Sequence, residues 1–431
     1  MSVSEVTVSD GNSASEAVTP QILVTEGHVR AALAADKGAE ARLTAWKVVD
    51  FTKKGDNYAC VVSSVEVTYE LDGQSSEVVY VVKLNACRND TMTEFLNSII
   101  YEKETKFYSS LAPELNTVLK EIGQREINVP KCLHVSLEKG KEILFLEDLR
   151  RRGFKMHDHR RGMDTAHTNL VLRELARLHA AAFLLEHKHP GEDMMGKYPF
   201  LKRNWSDMLV ESREMLKLIE DGIKFAQEML AAVGGYERAV AWLDTFVPKL
   251  LDVFHKQMEC GEPKVVCHGD CWTNNLLFRY NDEGHPVDVM LLDMQLVRYG
   301  PPATDLSYFL YTATTGDVRR PNLQAFLECY HGALTGIMEA AGQEAPFELT
   351  QFIKDFKEKI LFGAIYGMLS APIAISNSAD EMVSSRDTDD GIEGMLRRAR
   401  AGVMGTLDSN PMLGPRLLSL FDELMELGLI T

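Results

Sequence analysis

Hydrophobic and polar residues alternate with a period of two in the first third of the chain, beginning near Trp46. Runs of this kind that are rich in Val and Tyr predict antiparallel strands. Asp72-Gly73 separates two of the runs and predicts a hairpin turn. The predicted strands are Trp46–Thr52, Tyr58–Leu71, Ser76–Leu84, Val129–Val135 and Glu142–Leu149.

Apolar positions recur with the period of an amphipathic helix between Met92 and Leu111, and again in most of the chain beyond Asp148. One strand pair interrupts the second region, at Asn275–Tyr280 and Val287–Asp293. The long predicted helices are Asp164–Lys188, Trp205–Ala232 and Tyr236–Met258. We therefore predict an α+β fold with two lobes.

Three segments divide the predicted fold. Residues 1–20 lack periodicity and predict a mobile tail. Residues 21–149 predict an N-terminal lobe that consists of a small antiparallel sheet with one helix. Residues 150–431 predict a larger, mainly helical C-terminal lobe that holds the substrate-binding helices.

An apolar stretch at Ile360–Ile375 carries no charge, yet it is shorter than a membrane-spanning helix usually needs to be. It predicts a buried helix that ends near Pro372. The first residues show neither a basic segment nor an apolar segment, so we expect no secretory signal. Together these features favour a cytoplasmic protein that does not bind membranes.

The formal net charge is −17, with 63 acidic and 46 basic residues, and such a field repels polyanions. We therefore expect no nucleic-acid partner, although local cations or Mg²⁺ can reverse the potential inside one cleft. The seven cysteines are odd in number and scattered, which predicts reduced thiols. The spacing of Cys267 and Cys271 matches none of the usual zinc patterns.

The segment His268-Gly269-Asp270 follows an apolar run, and Asn275 stands five residues after Asp270. This spacing is that of a phosphotransferase catalytic loop. The chemistry requires a carboxylate that accepts the proton of an attacking hydroxyl, and an amide oxygen that holds the metal beside the phosphates. We predict Asp270 as the catalytic base and Asn275 as a Mg²⁺ ligand.

A second carboxylate, Asp293, stands at the end of the apolar run 289–292, where it could bridge Mg²⁺ to the β- and γ-phosphates of ATP. Met294-Gln295 follows it, so the Asp-Phe-Gly triplet of protein kinases is absent. This absence argues against an activation loop that switches conformation.

Lys83 shares a strand face with Val79 and Val81 if the strand is regular, and a lysine on an apolar face requires an anion. Glu104 lies on the apolar stripe of the following helix, where a carboxylate is costly unless it is paired. Lys83 and Glu104 therefore predict the ion pair that positions the α- and β-phosphates in kinases.

Two backbone segments complete the predicted ATP site. The turn at 54–59, which includes Asn57 and Tyr58, stands where kinases cover the phosphates, although it holds one Gly rather than three. The segment 144–149, which includes Glu147 and Leu149, is placed as the hinge whose backbone binds adenine. We predict all four named residues to contact ATP.

Plainer interpretations accompany these predictions. Lys83 alone could be an edge-strand lysine whose stem lies along apolar surface. His179 is expected to be a hydrogen-bonded core or cleft residue, and Asp305 to cap a helix and tether the catalytic loop. A nucleotide-binding pseudokinase and a protein kinase remain alternative functions, the second opposed by the lack of an Ala-Pro-Glu motif after Asp293.

Taken in order, these segments resemble the ecdysteroid kinase-like family, relatives of choline kinases and aminoglycoside phosphotransferases. The matching segments are Gly55-Asp56-Asn57-Tyr58-Ala59, Glu104-Thr105-Lys106-Phe107-Tyr108, Leu146-Glu147-Asp148-Leu149, Gly153-Phe154-Lys155, Leu175-Ala176-Arg177-Leu178-His179-Ala180, 268–275, 292–295 and Asp305-Leu306. Cys60 and Met294 depart from the residues typical of the family, Ser and Phe, which puts nucleotide affinity and cleft shape in question but removes no catalytic group.

The resemblance implies a protein-kinase-like bilobal fold and the ATP- and Mg²⁺-dependent phosphorylation of an alcohol, with ecdysteroids as one substrate class. We expect the acceptor to bind over the helical lobe, which is rich in apolar and aromatic residues and suits a hydrophobic alcohol. The aromatic residues considered are Trp205, Tyr236, Trp242, Phe246, Tyr308, Phe309 and Tyr311.

Overall fold

The computed structural model describes residues 20–50, 61–85, 91–203, 205–259, 261–375 and 400–430. The strands are β1 (Arg42–Asp50), β2 (Val61–Leu71), β3 (Gln74–Leu84), β4 (Cys132–Ser136), β5 (Ile143–Glu147), β6 (Phe154–Met156), β7 (Val265–Cys267), β8 (Leu276–Tyr280), β9 (Pro286–Leu291) and β10 (Arg298–Gly300). The α-helices are α1 (Glu26–Lys37), α2 (Thr91–Lys106), α3 (Ala112–Glu121), α4 (Thr165–Lys188), α5 (Met194–Lys197), α6 (Trp205–Glu211), α7 (Arg213–Val233), α8 (Glu237–Phe246), α9 (Leu250–Glu259), α10 (Pro302–Ala313), α11 (Gly316–Ala340), α12 (Leu349–Ile375) and α13 (Ser419–Glu426).

Five strands form one antiparallel sheet in the order β1-β2-β3-β5-β4. Asp72 and Gly73 form the tight turn between β2 and β3, with φ values of 53° and 75° that this kind of hairpin turn requires. The predicted hairpin is confirmed. One face of the sheet has its own apolar core, in which Val65, Tyr80 and Val82 are fully buried.

The N-terminal part holds more helix than the single predicted one. Helix α1 begins at a capping box, in which Thr25 accepts from the backbone N–H of His28, and it packs against β1 and β4. The helix predicted to end at Leu111 does so in a π-helical turn, Phe107–Leu111, and α3 continues beyond it. Periodicity alone did not reveal α1, whose starting signal is a local cap.

The C-terminal part is mainly helical and includes two small sheets, β6-β8-β9 and β7-β10. Helices α10 and α12 pack closely, as do α4 and α11, around the larger apolar core. Every residue of α10 is buried. Because α10 lies at the centre of the core, its position is fixed by packing on all sides.

Two long predicted helices are each divided in the structure. The predicted helix over 205–232 is interrupted because Ser212 caps α7, with its side chain accepting from the N–H of Met215. The predicted helix over 236–258 is interrupted by a 3₁₀ turn, Val247–Lys249, where Pro248 supplies no N–H for an α-helical bond.

Helix α12 contains the predicted buried apolar segment and runs to Ile375 with Pro372 inside it, three residues past the predicted end. Gly363 lies against the backbone of α10, since an added Cβ would fall 2.3 Å from the carbonyl oxygen of Ser307. Within the described ranges, none of the helices has both the length and the apolar character of a membrane span.

The sheet-based N-terminal part and the larger helical C-terminal part confirm the predicted α+β, kinase-like bilobal class. The strand predicted to end at Leu149 ends at Glu147 because Asp148 caps a 3₁₀ turn, Leu149–Arg152. The division at residues 149/150 stays a prediction. Residues 1–19 of the predicted tail lie outside the described residues.

Candidate active site

Lys83 extends from β3, which lies between β2 and β5 in the middle of the sheet. Alternate residues of β3, from Val78 to Leu84, are buried in the core on one face. Lys83 therefore points to the other face, toward α2, as the strand period predicts. Its side chain is 13% exposed, so its charge needs a partner.

Glu104 of α2 is that partner. The ammonium group of Lys83 donates to both carboxylate oxygens of Glu104, at 2.8 and 2.9 Å. Burial raises the pKa of Glu104 to about 7, while Lys83 acts to lower it and Asp293 to raise it. The structure thus brings together the two residues that the sequence paired.

Asp293 approaches the same lysine from the C-terminal part of the chain. Its Oδ1 accepts from Lys83 Nζ at 2.7 Å, although the residues are 210 positions apart. Asp293 adopts φ 65° and ψ 64°, a left-handed conformation in which Asp is better tolerated than most residues. This turn ends the strand β9 at Leu291, two residues before the predicted end, and directs the carboxylate into the cleft.

The catalytic loop leaves β7 through Gly269, which has a φ of 84°. A Cβ at this position would lie 2.1 Å from the carbonyl oxygen of Leu296, so only glycine fits there. The chain then turns through the 3₁₀ segment Thr273–Asn275 into β8. This path places the side chains of Asp270 and Asn275 side by side.

Asp270 accepts three hydrogen bonds from side chains. Tyr308 donates to Oδ1 at 2.6 Å, while Asn275 and Gln295 donate to Oδ2 at 3.0 and 3.3 Å. Burial raises the pKa of Asp270 to about 7, the hydrogen bond from Tyr308 acts to lower it, and the charge of Asp293 acts to raise it. A carboxylate with such a pKa is suited to proton transfer near neutral pH.

Asn275 is held with its amide nitrogen toward Asp270. Nδ2 donates to the backbone oxygen of Asp270 at 2.9 Å as well as to its side chain, and the residue is buried. This orientation directs the amide oxygen away from Asp270. Leu292 donates through its N–H to the Asn275 carbonyl at 2.9 Å, so the loop that carries Asp293 is attached to the catalytic loop.

Asp305 of α10 holds the catalytic loop by its backbone. The N–H groups of His268 and Gly269 donate to its two oxygens, at 2.6 and 3.0 Å, and His179 Nε2 lies 3.2 Å away. Burial acts to raise the pKa of Asp305, but the hydrogen bond with His179 and nearby positive charge hold it at about 2. The predicted tether is present. The predicted helix cap is wrong, because α10 begins at Pro302 after the N-cap residue Pro301, without a side-chain cap, and Asp305 lies inside the helix.

A sequence model of the ecdysteroid kinase-like family matches residues 54–343. The match covers about two thirds of the chain and contains the catalytic loop, Asp293, Lys83, Glu104 and Asp305. The chain belongs to the ecdysteroid kinase-like family. The resemblance found in the motifs is thereby confirmed, and membership implies a small-molecule kinase, a phosphotransferase.

This ecdysteroid kinase-like protein also resembles dhs-27 of Caenorhabditis elegans, which is described as an uncharacterized oxidoreductase. The two are 26% identical over 141 residues, which cover 31% of this chain and 17% of the other. The chain therefore spans about a sixth of the length of that relative. The match is too limited to transfer the name of the longer protein.

The four other predicted ATP contacts of the ecdysteroid kinase-like protein belong to the turn 54–59 and the segment 144–149. Asn57 and Tyr58, with the departure at Cys60, lie outside the described residues. Glu147 ends β5, and its carboxylate accepts from the N–H of Lys131 at 2.9 Å, which gives the side chain a structural partner. Leu149 is buried in the following turn. The hinge role of this segment stays a prediction.

The predicted acceptor aromatics of this kinase-like protein divide into different environments. Tyr308 reaches the candidate site, whereas Tyr311 donates to Glu423 at 2.6 Å and Tyr236 donates to Asp422 at 3.0 Å. Phe309 is fully buried, and Trp242 and Phe246 stack with ring centroids 4.5 Å apart. The side chain of Trp205 lies outside the described residues.

Two contacts to Asp270 in this family member were not predicted from the sequence. Tyr308 stands three residues after Asp305, so a regular helix places both on one face, and this spacing was an available signal. Gln295 is two residues from Asp293, and its role depends on the 3₁₀ turn Met294–Leu296. The triplet that departs from Asp-Phe-Gly thus supplies a polar contact to the candidate base.

Proposed function

We propose that the protein transfers the γ-phosphate of ATP, bound with Mg²⁺, to a hydroxyl group of a small hydrophobic alcohol. The observation that carries the proposal is the meeting of two hydrogen-bonded sets of residues from distant parts of the chain, joined by the backbone bond from Leu292 to Asn275. Lys83 bonds to Glu104 and Asp293, while Asp270 bonds to Asn275. These are the polar groups that phosphoryl transfer requires.

Asn275 and Asp293 fit a magnesium ion by their chemistry. Both offer oxygen ligands, which Mg²⁺ prefers, and the amide of Asn275 already directs its oxygen away from Asp270. When bound, the ion would neutralise charge on the β- and γ-phosphates. Lys83 would remain attached to Glu104 and donate to the α- and β-phosphates in exchange for its bond to Asp293.

Asp270 would act on the acceptor. Its carboxylate takes the proton of the acceptor hydroxyl while the hydroxyl oxygen forms a bond to the γ-phosphorus. The bond between that phosphorus and the bridging oxygen breaks, and ADP leaves. Tyr308 and Gln295 occupy fixed positions on the same carboxylate and hold its orientation during this step. Positioning of this kind supplies much of the catalysis in phosphoryl transfer.

The surroundings of Asp270 favour an apolar acceptor. Tyr308 packs against Tyr366 of α12, with ring centroids 4.4 Å apart, so aromatic surface adjoins the candidate base. Because the chain belongs to the ecdysteroid kinase-like family, ecdysteroids and related steroid alcohols are the first acceptors to test. The net charge of −17 supports a small molecule rather than a nucleic acid, and the described cysteines, which are free thiols, support a reducing, cytoplasmic setting.

The test is incubation of the protein with ATP, Mg²⁺ and either a panel of hydroxylated steroids, ecdysteroids included, or a panel of peptides, followed by mass spectrometry. We expect a mass gain of one phosphate on at least one sterol with the native protein and none with Asp270→Asn. ATP binding without any phosphorylated product would favour a pseudokinase, and phosphorylation of peptides alone would favour a protein kinase. Either result would overturn the proposal.

A further inference from the structure

A small cavity lies against the catalytic loop, apart from the Lys83 and Asp270 contacts. Its walls include Gly269 of the loop and three cationic side chains, Lys103, Arg203 and Arg298. Apolar groups, among them Phe362 of α12, close the remaining side. None of the three cations has a part in the proposed transfer of phosphate.

Lys103 of α2 is 3% exposed, so its ammonium group is withdrawn from solvent. It donates to the carbonyl oxygens of Phe200 and Val297, at 2.7 and 2.8 Å. An ammonium group has three donors, so these two bonds leave one for the cavity. Burial lowers the pKa of Lys103 to about 7, and the charges of Arg298 and Arg203 act in the same direction.

Arg298 of β10 is also 3% exposed. Nη2 donates to Thr304 at 2.6 Å, but Nη1 has no hydrogen-bond partner among the described residues. The Oδ1 atom of Asp305 is 4.0 Å from Nη2 and already accepts from the backbone of Gly269. A buried guanidinium donor without a partner is costly, so Nη1 is available to a bound ligand.

We propose that this cavity binds a small inorganic anion, a halide such as chloride, between Lys103 and Arg298, while Arg203, which is paired with Glu211, forms part of the wall. The cavity has room for about one water-sized occupant, which excludes phosphate and nucleotides. A monatomic anion would accept from the remaining Lys103 donor and from Arg298 Nη1, and it would reduce the repulsion between the two cations. It would also connect α2 and β10 beside Gly269, one residue before Asp270.

Crystals of the full chain grown or soaked in sodium bromide provide a direct test. We expect an anomalous bromide peak inside the cavity, within hydrogen-bonding distance of Lys103 and Arg298. Density that fits water alone, with no anomalous signal, would overturn the proposal. This measurement does not depend on kinase activity, so it is decided separately from the proposed function.

Thermal unfolding gives the solution test, with bromide increased at constant ionic strength against sodium gluconate. The native protein should show a saturable rise in Tm of about 2 °C. Lys103→Met should lose this rise, whereas Lys106→Met, which removes an exposed lysine of the same helix, should keep it. If Lys103→Met does not fold, Arg298→Lys replaces it as the variant.

A linear response to bromide in the native protein, or a saturable one that survives in both Lys103→Met and Arg298→Lys, would place the effect elsewhere and overturn the assignment. Saturation distinguishes a site from a general salt effect, because nonspecific ion effects grow steadily with concentration.

Discussion

Tyr308 donates a hydrogen bond of 2.6 Å to Oδ1 of Asp270, and both residues are attached to α10, the first directly and the second through Asp305. The tether fixes the backbone of the catalytic loop, and Tyr308 fixes the side chain that the loop presents. Burial raises the pKa of Asp270 to about 7. The hydrogen bond from Tyr308 opposes this rise because it stabilises the charged form of Asp270.

Tyr308→Phe should therefore change the pH dependence of the proposed reaction. Loss of the donor raises the pKa of Asp270 further, so the acid limb of kcat/KM moves to higher pH by about one unit. Activity should fall about tenfold on the acid side and stay close to native above the limb. The measurement is kcat/KM for the best acceptor from pH 5.5 to 9.

Tyr311→Phe is the matched control, since Tyr311 lies on the same buried helix but donates to Glu423. Its acid limb should remain at the native pH. A uniform loss of activity at every pH in Tyr308→Phe would mean that Tyr308 has only a structural role.

Asp270→Asn should make the folded protein more stable at neutral pH although it removes the base. The folded pKa of about 7 exceeds the ordinary value of 3.8, so the unfolded chain releases its proton first as the pH rises. The native protein loses stability between about pH 4 and pH 7, and the loss is complete above pH 7. The variant avoids this loss, which is on the order of 4 kcal/mol.

Urea unfolding in the presence of a metal chelator, at pH 5 and pH 8, measures the difference. The advantage of Asp270→Asn should be larger at pH 8. An advantage that is equal at both values, or absent, would mean that Asp270 titrates near its ordinary pKa in the folded protein.

Lys83 and Glu104 should show strong coupling in a double-mutant cycle. Lys83→Met removes the cation that bonds to both Glu104 and Asp293, and Glu104→Gln removes the buried carboxylate that needs this cation. We expect a coupling free energy of about 2 kcal/mol in the free energy of unfolding, because the pair is largely buried.

The exposed pair Lys47 and Glu66, at 2.9 Å on the same sheet, provides the comparison. Its cycle should show no measurable coupling, since solvent screens it. Similar coupling in both pairs would show that burial does not strengthen the Lys83–Glu104 interaction.

Asp305→Asn should weaken the attachment of the catalytic loop to α10 without removing a group that is predicted to contact ATP. The N–H group of His268 or Gly269 would then face the side-chain amide N–H of the variant or an uncharged acceptor. We expect this to lower the free energy of unfolding by about 2 kcal/mol. Because the pKa of Asp305 is depressed to about 2, its contribution is full above pH 4 and is lost as the pH falls through 4 toward 2. The stability gap between native protein and variant should narrow over that interval.

Unfolding by urea at pH 7 and pH 3.5 checks this expectation, with kcat measured at pH 7. Asp317→Asn, an exposed carboxylate in the first turn of α11, should leave both quantities unchanged. Equal effects of the two substitutions would contradict the tether.

Local regularity explains which contacts the sequence predicted. Lys83 and Glu104 belong to one regular strand and one regular helix, so the faces of those elements were sufficient to pair them. The hairpin at Asp72-Gly73 followed from turn chemistry alone. The α+β class followed from the change of period near Asp148.

Contacts between distant elements required the packed structure. The bond from Lys83 to Asp293 spans 210 positions, and the bond from Tyr308 to Asp270 depends on where α10 enters the core. The helix breaks at Ser212 and Pro248 did not require the packed structure. A helix cap and a proline are local signals, but the hydrophobic period continues across both positions and predicts uninterrupted helices.

The complete burial of α10 has a consequence for genetic variation in this protein. Because the helix that carries Tyr308 and Asp305 also fills the centre of the core, a substitution that merely loosens its packing would displace the base. Inherited or selected substitutions in α10 would then reduce enzymatic activity even when the altered side chain contacts neither ATP nor the acceptor. Substitutions in α10 would therefore change the stability and the catalytic rate together. A screen for stabilised variants would identify the α10 positions at which both properties depend on the same packing.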